Sequence, residues 1–370
     1  MNILITGANG FIGKNLIAEL KRYEQYTLLK YDIDNTKEDL VKCILQADFI
    51  FHLAGVNRPK NDSEFLENNK GLTEEIIDIM KINNKNIPLL ITSSIQAEKH
   101  NAYGISKKAA ENAVFAWSKE TGNKSYVYRL PNVFGKWCKP NYNSVVATFM
   151  HNIATNLPIQ INDENHELAL VYIDDILNEF KLAIENKAYI DENGYSFVAV
   201  TYNITLAKLA EIIYSFRESR SNLSVVDMSD ELTKKLYSTY LSYLPTNSFS
   251  YPLKMNIDNR GSFTEFIRTP DRGQMSVNIS KPGMKKGNHW HHTKNEKFLV
   301  VSGEGIIRFR NINDNNIIEY YVNGEKLEVV DIPIGYTHSI ENTGITDMIT
   351  IMWVNECFDA KNPDTYFEEV

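Results

Sequence analysis

The sequence has few cysteines and no long apolar segment. Its three cysteines, Cys43, Cys138 and Cys357, are scattered through 370 residues and odd in number, which argues against a disulfide framework or a paired-cysteine zinc site. No apolar run approaches the roughly 20 residues that span a bilayer. The first seven residues lack the charged and apolar regions of a secretory signal peptide. We therefore expect a reducing compartment, the cytoplasm, and no membrane association.

Positive charge is also scarce. Lysine and arginine number 39 against 47 acidic residues, so the net charge is −8, and no basic tract is present. We therefore expect no nucleic-acid partner. The apolar fraction of 43% and the charged fraction of 23% are ordinary for a folded protein and argue against long disorder. The length exceeds what one hydrophobic core usually spans, which predicts two domains.

The first predicted domain, residues 1–245, alternates short apolar runs with amphipathic stretches that are long enough for helices. That alternation predicts βαβ units around a parallel sheet, an α/β fold of the Rossmann kind. The predicted strands of this domain are residues 3–5, 27–29, 49–53, 89–91 and 126–128. Residues 205–250 look helical and then irregular, so we place the boundary near residue 246.

The second predicted domain, residues 246–370, has a different pattern. Short strand-like runs are separated by turns that contain Gly and Asn, which predicts an all-β barrel or jelly roll. The predicted strands of this domain are residues 276–279, 297–301, 306–309, 317–322, 327–332 and 348–354.

A glycine-rich turn follows the first predicted strand. Gly7, Gly10 and Gly13 have the spacing G-x-x-G-x-x-G and open a predicted helix with Phe11 and Ile12. Small residues there let backbone N–H groups approach a pyrophosphate at the helix N-terminus, so the turn predicts a dinucleotide site. The alternative is a glycine turn that serves only close packing.

Asp32 lies just past the second predicted strand. A carboxylate there would accept the ribose hydroxyls and repel a 2′-phosphate, which favours NADH. A simple turn aspartate is the alternative.

Tyr103 and Lys107 have the spacing Tyr-x-x-x-Lys, which Tyr26 and Lys30 share. Four residues span about 6 Å along one face of a helix, but roughly 13 Å along a strand. Tyr103 precedes an Ala- and Lys-rich stretch that reads as a helix start, whereas Tyr26 and Lys30 look like strand residues. Only Tyr103 and Lys107 could therefore act together, with the tyrosine as the acid and the lysine as the cation that supports it. Hydride transfer to a ketone requires such an acid, because the developing alkoxide must be protonated.

Ser94 ends the fourth predicted strand and is the candidate that hydrogen-bonds the carbonyl. Ser93 and Thr92 compete for that role. A solvated helix face is the alternative interpretation of Tyr103 and Lys107.

Two histidine motifs lie in the second predicted domain. Residues 283–303 follow G-x5-H-x-H-x4-E-x6-G, and residues 333–342 follow P-x-G-x2-H-x3-N. Together they resemble the two motifs of the cupin family, except that the second lacks its leading glycine.

Four residues of these motifs are candidate metal ligands. His289 and His291, two apart on a strand, point to one face, and Glu296 and His338 come from other strands. Three imidazoles and a carboxylate suit zinc or another first-row divalent ion. His292 adjoins them as a candidate for supporting the metal ligands, acid–base chemistry or substrate binding. The alternative is a metal-free cupin whose histidines hydrogen-bond a sugar.

The first domain resembles the extended short-chain dehydrogenase/reductase family. The resemblance rests on the glycine spacing, the Tyr-x-x-x-Lys pair, and residues 52–55, 129–135 and 172–175. It implies that Leu53, Ala54 and Gly55 lie alongside the cofactor. It also implies that Arg129 and Asn132 face the nicotinamide and a sugar nucleotide.

The whole chain resembles a family of bifunctional capsular-polysaccharide biosynthesis enzymes, in which such a reductase precedes a cupin. Residues 135–144, 237–243 and 288–298 carry this resemblance. It implies that the cupin epimerises C3 of a UDP-4-keto-6-deoxy-N-acetylhexosamine. The reductase would then reduce C4 to give UDP-2-acetamido-2,6-dideoxy-L-talose, on the route to UDP-N-acetyl-L-fucosamine. It further implies NADPH, zinc and a homodimer, although Asp32 departs from the NADPH expectation.

The chemistry of the ketone supports this order of steps. A C4 carbonyl acidifies the C3 hydrogen because the resulting carbanion is delocalised as an enolate, and reduction removes that acidity. Two other hypotheses stay open. In one, only the reductase is an enzyme and the cupin is a binding or dimerisation module. In the other, the chain is a non-catalytic sugar-nucleotide sensor.

Overall fold

A computed structural model describes residues 1–59 and 61–370. These residues form two compact units. The first contains Met1–Tyr214 and Met228–Pro245, and the second contains Ser215–Asp227 and Thr246–Val370. None of the helices in the described residues combines the length and the apolar character that crossing a membrane requires.

A six-stranded parallel sheet forms the centre of the first unit, in the order β2-β1-β3-β4-β5-β8. Its strands are β1 (Asn2–Thr6), β2 (Thr27–Tyr31), β3 (Phe49–His52), β4 (Leu89–Ser94), β5 (Ser125–Leu130) and β8 (Tyr195–Ser196). A second, three-stranded sheet contains β6 (Asn132–Phe134), β7 (Glu167–Tyr172) and β9 (Tyr202–Thr205).

Helices separate these strands and extend to residue 241. They are α1 (Phe11–Leu20), α2 (Lys37–Gln46), α3 (Ser63–Phe65), α4 (Leu72–Ile82), α5 (Ala102–Thr121), α6 (Val145–Ala154), α7 (Ile173–Ile184), α8 (Leu206–Asn222) and α9 (Glu231–Leu241). A π-helical segment, Leu66–Gly71, precedes α4, and a 3₁₀ turn, Ile95–Glu98, follows β4.

Both faces of the parallel sheet are buried. Ile3 and Ile5 pack on one face with Phe180 of α7, and Leu4 packs on the other with Met80 of α4. Because side chains alternate along a strand, a sheet covered on both faces needs a continuous apolar run. This explains why the short apolar runs of the sequence predicted these strands correctly.

Two antiparallel sheets form the second unit. One has the order β10-β11-β12-β19-β14-β17, and the other has the order β16-β15-β18-β13-β20. Their strands are β10 (Asn256–Asp258), β11 (Gly261–Thr269), β12 (Gly273–Ser280), β13 (Lys285–Trp290), β14 (Glu296–Ser302), β15 (Glu304–Asn311), β16 (Ile317–Asn323), β17 (Val329–Ile332), β18 (Tyr336–Asn342), β19 (Met348–Val354) and β20 (Tyr366–Phe367). The predicted fold class, a parallel α/β domain followed by an all-β barrel, is confirmed.

Several elements differ from the sequence prediction, among them the start of α5 and strand β11. The helix that carries Tyr103 begins at Ala102, five residues before the expected Ala- and Lys-rich stretch. The Asn101 side chain caps this helix by accepting the Gly104 N–H at 2.7 Å, so the start depends on a cap rather than on composition. Strand β11 was not predicted, because polar residues interrupt its apolar positions and pairing with β12 stabilises it.

Close packing at Gly104 places the first turn of α5 against the 3₁₀ turn that follows β4. A Cβ on Gly104 would lie 2.4 Å from the carbonyl oxygens of Gln96 and Lys99. Only glycine allows this approach, which holds the start of α5 close to the carboxyl end of β4.

We predict that Gly104→Ala destabilises the protein by about 2 kcal/mol, because the added methyl group forces the helix away from the turn. Gly71→Ala is the matched control, since its Cβ would meet nothing closer than the Leu66 carbonyl oxygen at 4.0 Å. The control should be neutral or stabilising by up to about 1 kcal/mol. Urea unfolding measures both, and equal stability of the two variants would contradict the packing argument.

Candidate functional site

The glycine-rich turn lies where β1 ends and α1 begins. Gly7 has φ +67°, and a Cβ there would lie 2.7 Å from the Ala54 nitrogen. A Cβ on Gly13 would lie 2.2 Å from the Gly7 carbonyl oxygen. Gly10 is the N-cap, and Phe11 and Ile12 form the first turn, whose N–H groups have no intrahelical acceptor. The turn therefore packs against the loop after β3 and presents a helix N-terminus suited to a phosphate group.

Asp32 directly follows β2 and contacts this turn. Its Oδ2 atom accepts the Asn9 N–H at 2.6 Å, and its Oδ1 atom accepts the Ile33 N–H at 2.8 Å. Each carboxylate oxygen retains a second lone pair. The structure thus brings Asp32 beside the glycine turn, where a ribose hydroxyl could donate to it.

Ser94 and Tyr103 come together at the carboxyl end of β4. Burial raises the Tyr103 pKa, and a hydrogen bond with Ser94 acts in the opposite direction. The Tyr103 ring also contacts Phe65, with ring centroids 5.6 Å apart. The predicted serine therefore lies beside the predicted tyrosine.

Lys107 lies one helical turn after Tyr103, and its side chain is partly buried. Its Nζ atom donates to the Thr92 carbonyl oxygen at 3.0 Å, and a Cβ on Gly55 would lie 3.2 Å from Nζ. Burial lowers the Lys107 pKa to about 8, against an opposing effect of the Glu111 carboxylate. A cation in this position favours the phenolate of a neighbouring tyrosine.

A buried carboxylate organises the polar groups behind this site. Glu111 accepts hydrogen bonds from the Ser93 hydroxyl at 2.6 Å and from the Tyr195 hydroxyl at 2.9 Å. The Arg129 guanidinium donates to both Glu111 oxygens, at 2.9 and 2.7 Å, and to Glu98 at 2.8 Å. The Ser93 hydroxyl therefore donates to Glu111, whereas the Ser94 hydroxyl accepts the Gln96 N–H at 3.2 Å and can still donate its proton to a substrate.

The two predicted substrate contacts of this unit have protein partners. The Arg129 guanidinium stacks on the Tyr195 ring, 4.0 Å from its centroid, in addition to its carboxylate contacts. The Asn132 amide donates to the Ala169 carbonyl oxygen at 3.1 Å and is otherwise exposed. The contacts of Arg129 support the strands and helix behind the site.

The four candidate metal ligands of the second unit come together. His289 lies on β13, His291 just after it, Glu296 opens β14, and His338 lies on β18 directly opposite His289. One ligand atom from each lies within 4.8 Å of the others. Pairing of separate strands, rather than proximity in sequence, assembles this set.

The donor set fits a divalent metal ion. Both ring nitrogens of His338 and the Nε2 atom of His291 are buried without a hydrogen-bond partner. Burying such atoms unsatisfied is costly, and a metal ion would satisfy the His291 Nε2 atom and one of the two His338 nitrogens. The His291 Nδ1 atom lies 2.6 Å from the Asp364 carbonyl oxygen. That oxygen can only accept, so Nδ1 carries the proton and Nε2 offers its lone pair to the ion.

Electrostatics keep His289 and Glu296 in the forms that bind a metal ion. Burial and the neighbouring His338 lower the His289 pKa to about 4, so its imidazole is neutral. Burial raises the Glu296 pKa, but His291 and His338 outweigh this effect and hold it well below its usual range. Neutral imidazoles and an ionised carboxylate are the forms that bind metals.

Sequence analysis missed Asp364, which supports this cluster. Besides the contact of its carbonyl oxygen with His291, its carboxylate accepts the N–H groups of His292, Thr293 and Lys294 at 2.9–3.1 Å. Asp364 has φ +33°, and no motif marks it in the sequence. It lies more than 70 residues from His291, so only the fold brings it near.

His292 lies apart from the cluster. Its exposed ring packs between Trp290 and Tyr366, with centroids 4.7 and 5.1 Å away. The cluster itself borders a cavity of about 650 Å³, which His289, Glu296 and His338 line. That volume lies within the usual range of small-molecule sites.

Comparison with known proteins places both units in described families. Residues 3–204 match the NAD dependent epimerase/dehydratase family, and residues 256–366 match the polysaccharide biosynthesis C-terminal domain. The chain therefore belongs to the NAD dependent epimerase/dehydratase family, whose members use a nicotinamide cofactor, and carries that C-terminal domain.

Individual relatives share this two-part organisation. The capsular polysaccharide assembling protein CapF from Staphylococcus aureus is 57% identical over the full length of both chains, with a TM-score of 0.95. A structure of CapF with the inhibitor 3-isopropenyl-tropolone is 53% identical over both full chains, with a TM-score of 0.90. A UDP-2-acetamido-2,6-beta-L-arabino-hexul-4-ose reductase from Pseudomonas aeruginosa is 47% identical, over 99% of this chain and 98% of the relative. The resemblance to capsular-polysaccharide enzymes is confirmed.

We predict that Glu111→Gln destabilises the protein by about 3 kcal/mol at pH 7, because Arg129 then loses a buried charged partner. Three hydrogen-bonding side chains outweigh burial and hold the Glu111 pKa below its usual value of 4.5. The stabilisation is therefore present above that value and disappears as the pH falls toward the folded pKa. Urea unfolding of wild type and variant at several pH values measures the difference.

Glu98→Gln is the matched control, because the Glu98 side chain also pairs with Arg129 but is 75% exposed. We expect a loss below about 1 kcal/mol. Equal effects of the two substitutions would mean that burial of Glu111 does not determine the strength of this network.

Proposed function

We propose that the chain is a bifunctional enzyme that epimerises C3 and then reduces C4 of a UDP-linked 4-keto-6-deoxy-N-acetylhexosamine. The observation that carries the proposal is the presence in one chain of two different sites, the Ser94–Tyr103–Lys107 set and the His–Glu cluster. The names of the Pseudomonas aeruginosa reductase and of CapF support a UDP-keto-sugar substrate and a role in capsular or surface polysaccharide synthesis.

The reduction uses the first unit. The glycine turn at Gly7, Gly10 and Gly13 would hold NAD(P)H, which would be the source of the hydride for C4. Ser94 donates a hydrogen bond to the C4 oxygen, and Tyr103 gives that oxygen a proton as negative charge develops on it. Lys107 stabilises the phenolate that Tyr103 leaves behind. The product is the C4 alcohol, UDP-2-acetamido-2,6-dideoxy-L-talose, on the route to UDP-N-acetyl-L-fucosamine.

The epimerisation uses the second unit. His289, His291, Glu296 and His338 would hold a divalent ion, most consistent with zinc, which supplies Lewis-acid polarisation of the carbonyl or rigidity of the barrel. The cavity encloses the sugar while the C3 proton exchanges. Epimerisation precedes reduction, because the C3 hydrogen is acidic only while C4 is a ketone.

The proposal extends to the cofactor and the assembly. NADPH is proposed from the family resemblance, whereas the position of Asp32 beside the glycine turn favours NADH. We also propose a cytoplasmic homodimer whose domains are residues 1–245 and 246–370.

One experiment tests both activities. The purified chain is incubated with the 4-keto sugar nucleotide in D2O, with NADPH, with NADH or without cofactor, and C3 and C4 are followed by NMR. We expect deuterium at C3 without cofactor and a C4 alcohol only with cofactor. Reduction without C3 exchange would instead support a single-activity reductase with a cupin that binds or dimerises, and neither reaction would support a sensor.

We predict that Tyr103→Phe slows NAD(P)H oxidation at least about 100-fold, because the developing alkoxide loses its proton donor. Deuterium exchange at C3 should continue. Tyr26→Phe is the matched control, since Tyr26 shares the Tyr-x-x-x-Lys spacing but directly precedes strand β2. Unchanged cofactor oxidation in Tyr103→Phe would defeat the assignment of the acid.

We predict that the double variant His289→Ala/His338→Ala loses bound zinc, because it removes two of four ligands. Elemental analysis of purified protein measures the metal content. His292→Ala is the control and should retain zinc, because its exposed ring lies outside the cluster. Undiminished zinc in the double variant would contradict the site.

A further inference from the structure

A lysine shares the cavity with the candidate metal ligands. Lys286 and His289 are three residues apart on β13, and in a regular strand such residues point to opposite faces. The register shifts between Gly287 and His289, so that Lys286 pairs with Ile340 and His289 pairs with His338. Since Ile340 and His338 are two apart on β18 and both line the cavity, the bulge turns Lys286 toward the same interior.

Strand β12 holds the Lys286 ammonium in place. Its Nζ atom donates to Asn278 Oδ1 at 2.7 Å and to the Ile279 carbonyl oxygen at 2.9 Å. Both acceptors are neutral, and no described carboxylate lies within ion-pair distance of Nζ. An ammonium group has three N–H protons. Two of them form the hydrogen bonds to Asn278 and Ile279 on β12, and the third can donate to a molecule in the cavity.

The other charged groups of the cavity have partners. Asp258 and Arg260 bind each other at 2.6 Å, and each side chain is about half exposed. Glu296 belongs to the histidine cluster. Among the described residues that line the cavity, Lys286 is therefore the one partly buried charge that forms no ion pair and is not a candidate metal ligand.

We propose that Lys286 is a catalytic residue of the C3 epimerisation, donating its third N–H to the C4 oxygen of the sugar as that oxygen becomes an enolate. This inference rests on the proposed epimerase function of the second unit. A fixed ammonium at an oxygen that gains negative charge stabilises the transition state more than the ground state.

In the proposed epimerisation Lys286 neither gives nor takes a proton, and water accepts and returns the proton of C3. When the C3–H bond breaks, its electron pair forms the C3–C4 double bond, and the carbonyl π pair moves onto the C4 oxygen. The proton passes to water in the cavity. The reverse flow reforms the carbonyl while C3 takes a proton from water on its opposite face. Lys286 stays an ammonium throughout.

The test compares Lys286→Met with Lys285→Met in the full-length, zinc-loaded protein. Both substitutions remove one lysine from β13, but Lys285 is exposed. C3 deuterium exchange without cofactor should fall about 100- to 1000-fold in Lys286→Met, which is typical for loss of one oxyanion donor. The loss should be in kcat rather than KM, because the charge appears only in the transition state. Lys285→Met should match wild type, and zinc content should be equal in all three.

A second variant, Lys286→Gln, separates loss of charge from loss of folding. Its amide can still donate hydrogen bonds to Asn278 and Ile279, but it carries no charge. We expect the same loss in this variant. Exchange within threefold of Lys285→Met in zinc-replete Lys286→Met or Lys286→Gln would overturn the role of Lys286. Absence of exchange in wild type would instead overturn the proposed epimerase function itself.

Discussion

Both candidate sites depend on ionisable groups that are buried beside fixed partners. Lys107 is enclosed between the Thr92 carbonyl oxygen and the Gly55 backbone, and Glu111 is enclosed by Ser93, Arg129 and Tyr195. Burial of charge is costly unless hydrogen bonds compensate it. The sheets and close-packed glycines therefore hold these groups in the positions that the proposed chemistry requires.

The second unit applies the same constraint through strand pairing. The bulge in β13 keeps His289 opposite His338 and turns Lys286 to the same interior. The Asp364 carboxylate accepts the N–H of Thr293, in the segment after His291, and its carbonyl oxygen accepts from the His291 Nδ1 atom. The second contact orients the His291 ring. Two compact units in one chain thus offer two environments, a helix N-terminus with a tyrosine and a barrel interior with imidazoles, one for each of the two proposed reactions.

Much of the fold could be predicted, because its local signals are strong. Continuous apolar runs marked the parallel strands, and the glycine spacing marked the turn between β1 and α1. The start of α5 and strand β11 were harder to predict, since one depends on the Asn101 cap and the other on pairing with β12. At the site, the substrate contact of Arg129 that the family resemblance implies stays a prediction, and the sequence did not reveal that its guanidinium binds Glu111 and Glu98.

The sequence by itself determined the order of the two units, the residue types of both sites and the four candidate ligands, because these are set by spacing within short motifs. Only the tertiary structure decided that Ser94 lies beside Tyr103, that Asp364 orients His291, and that Lys286 lines the same cavity as His289 and His338. Those relations join residues on separate strands or across a bulge. Their distances depend on packing and register, which no local spacing encodes.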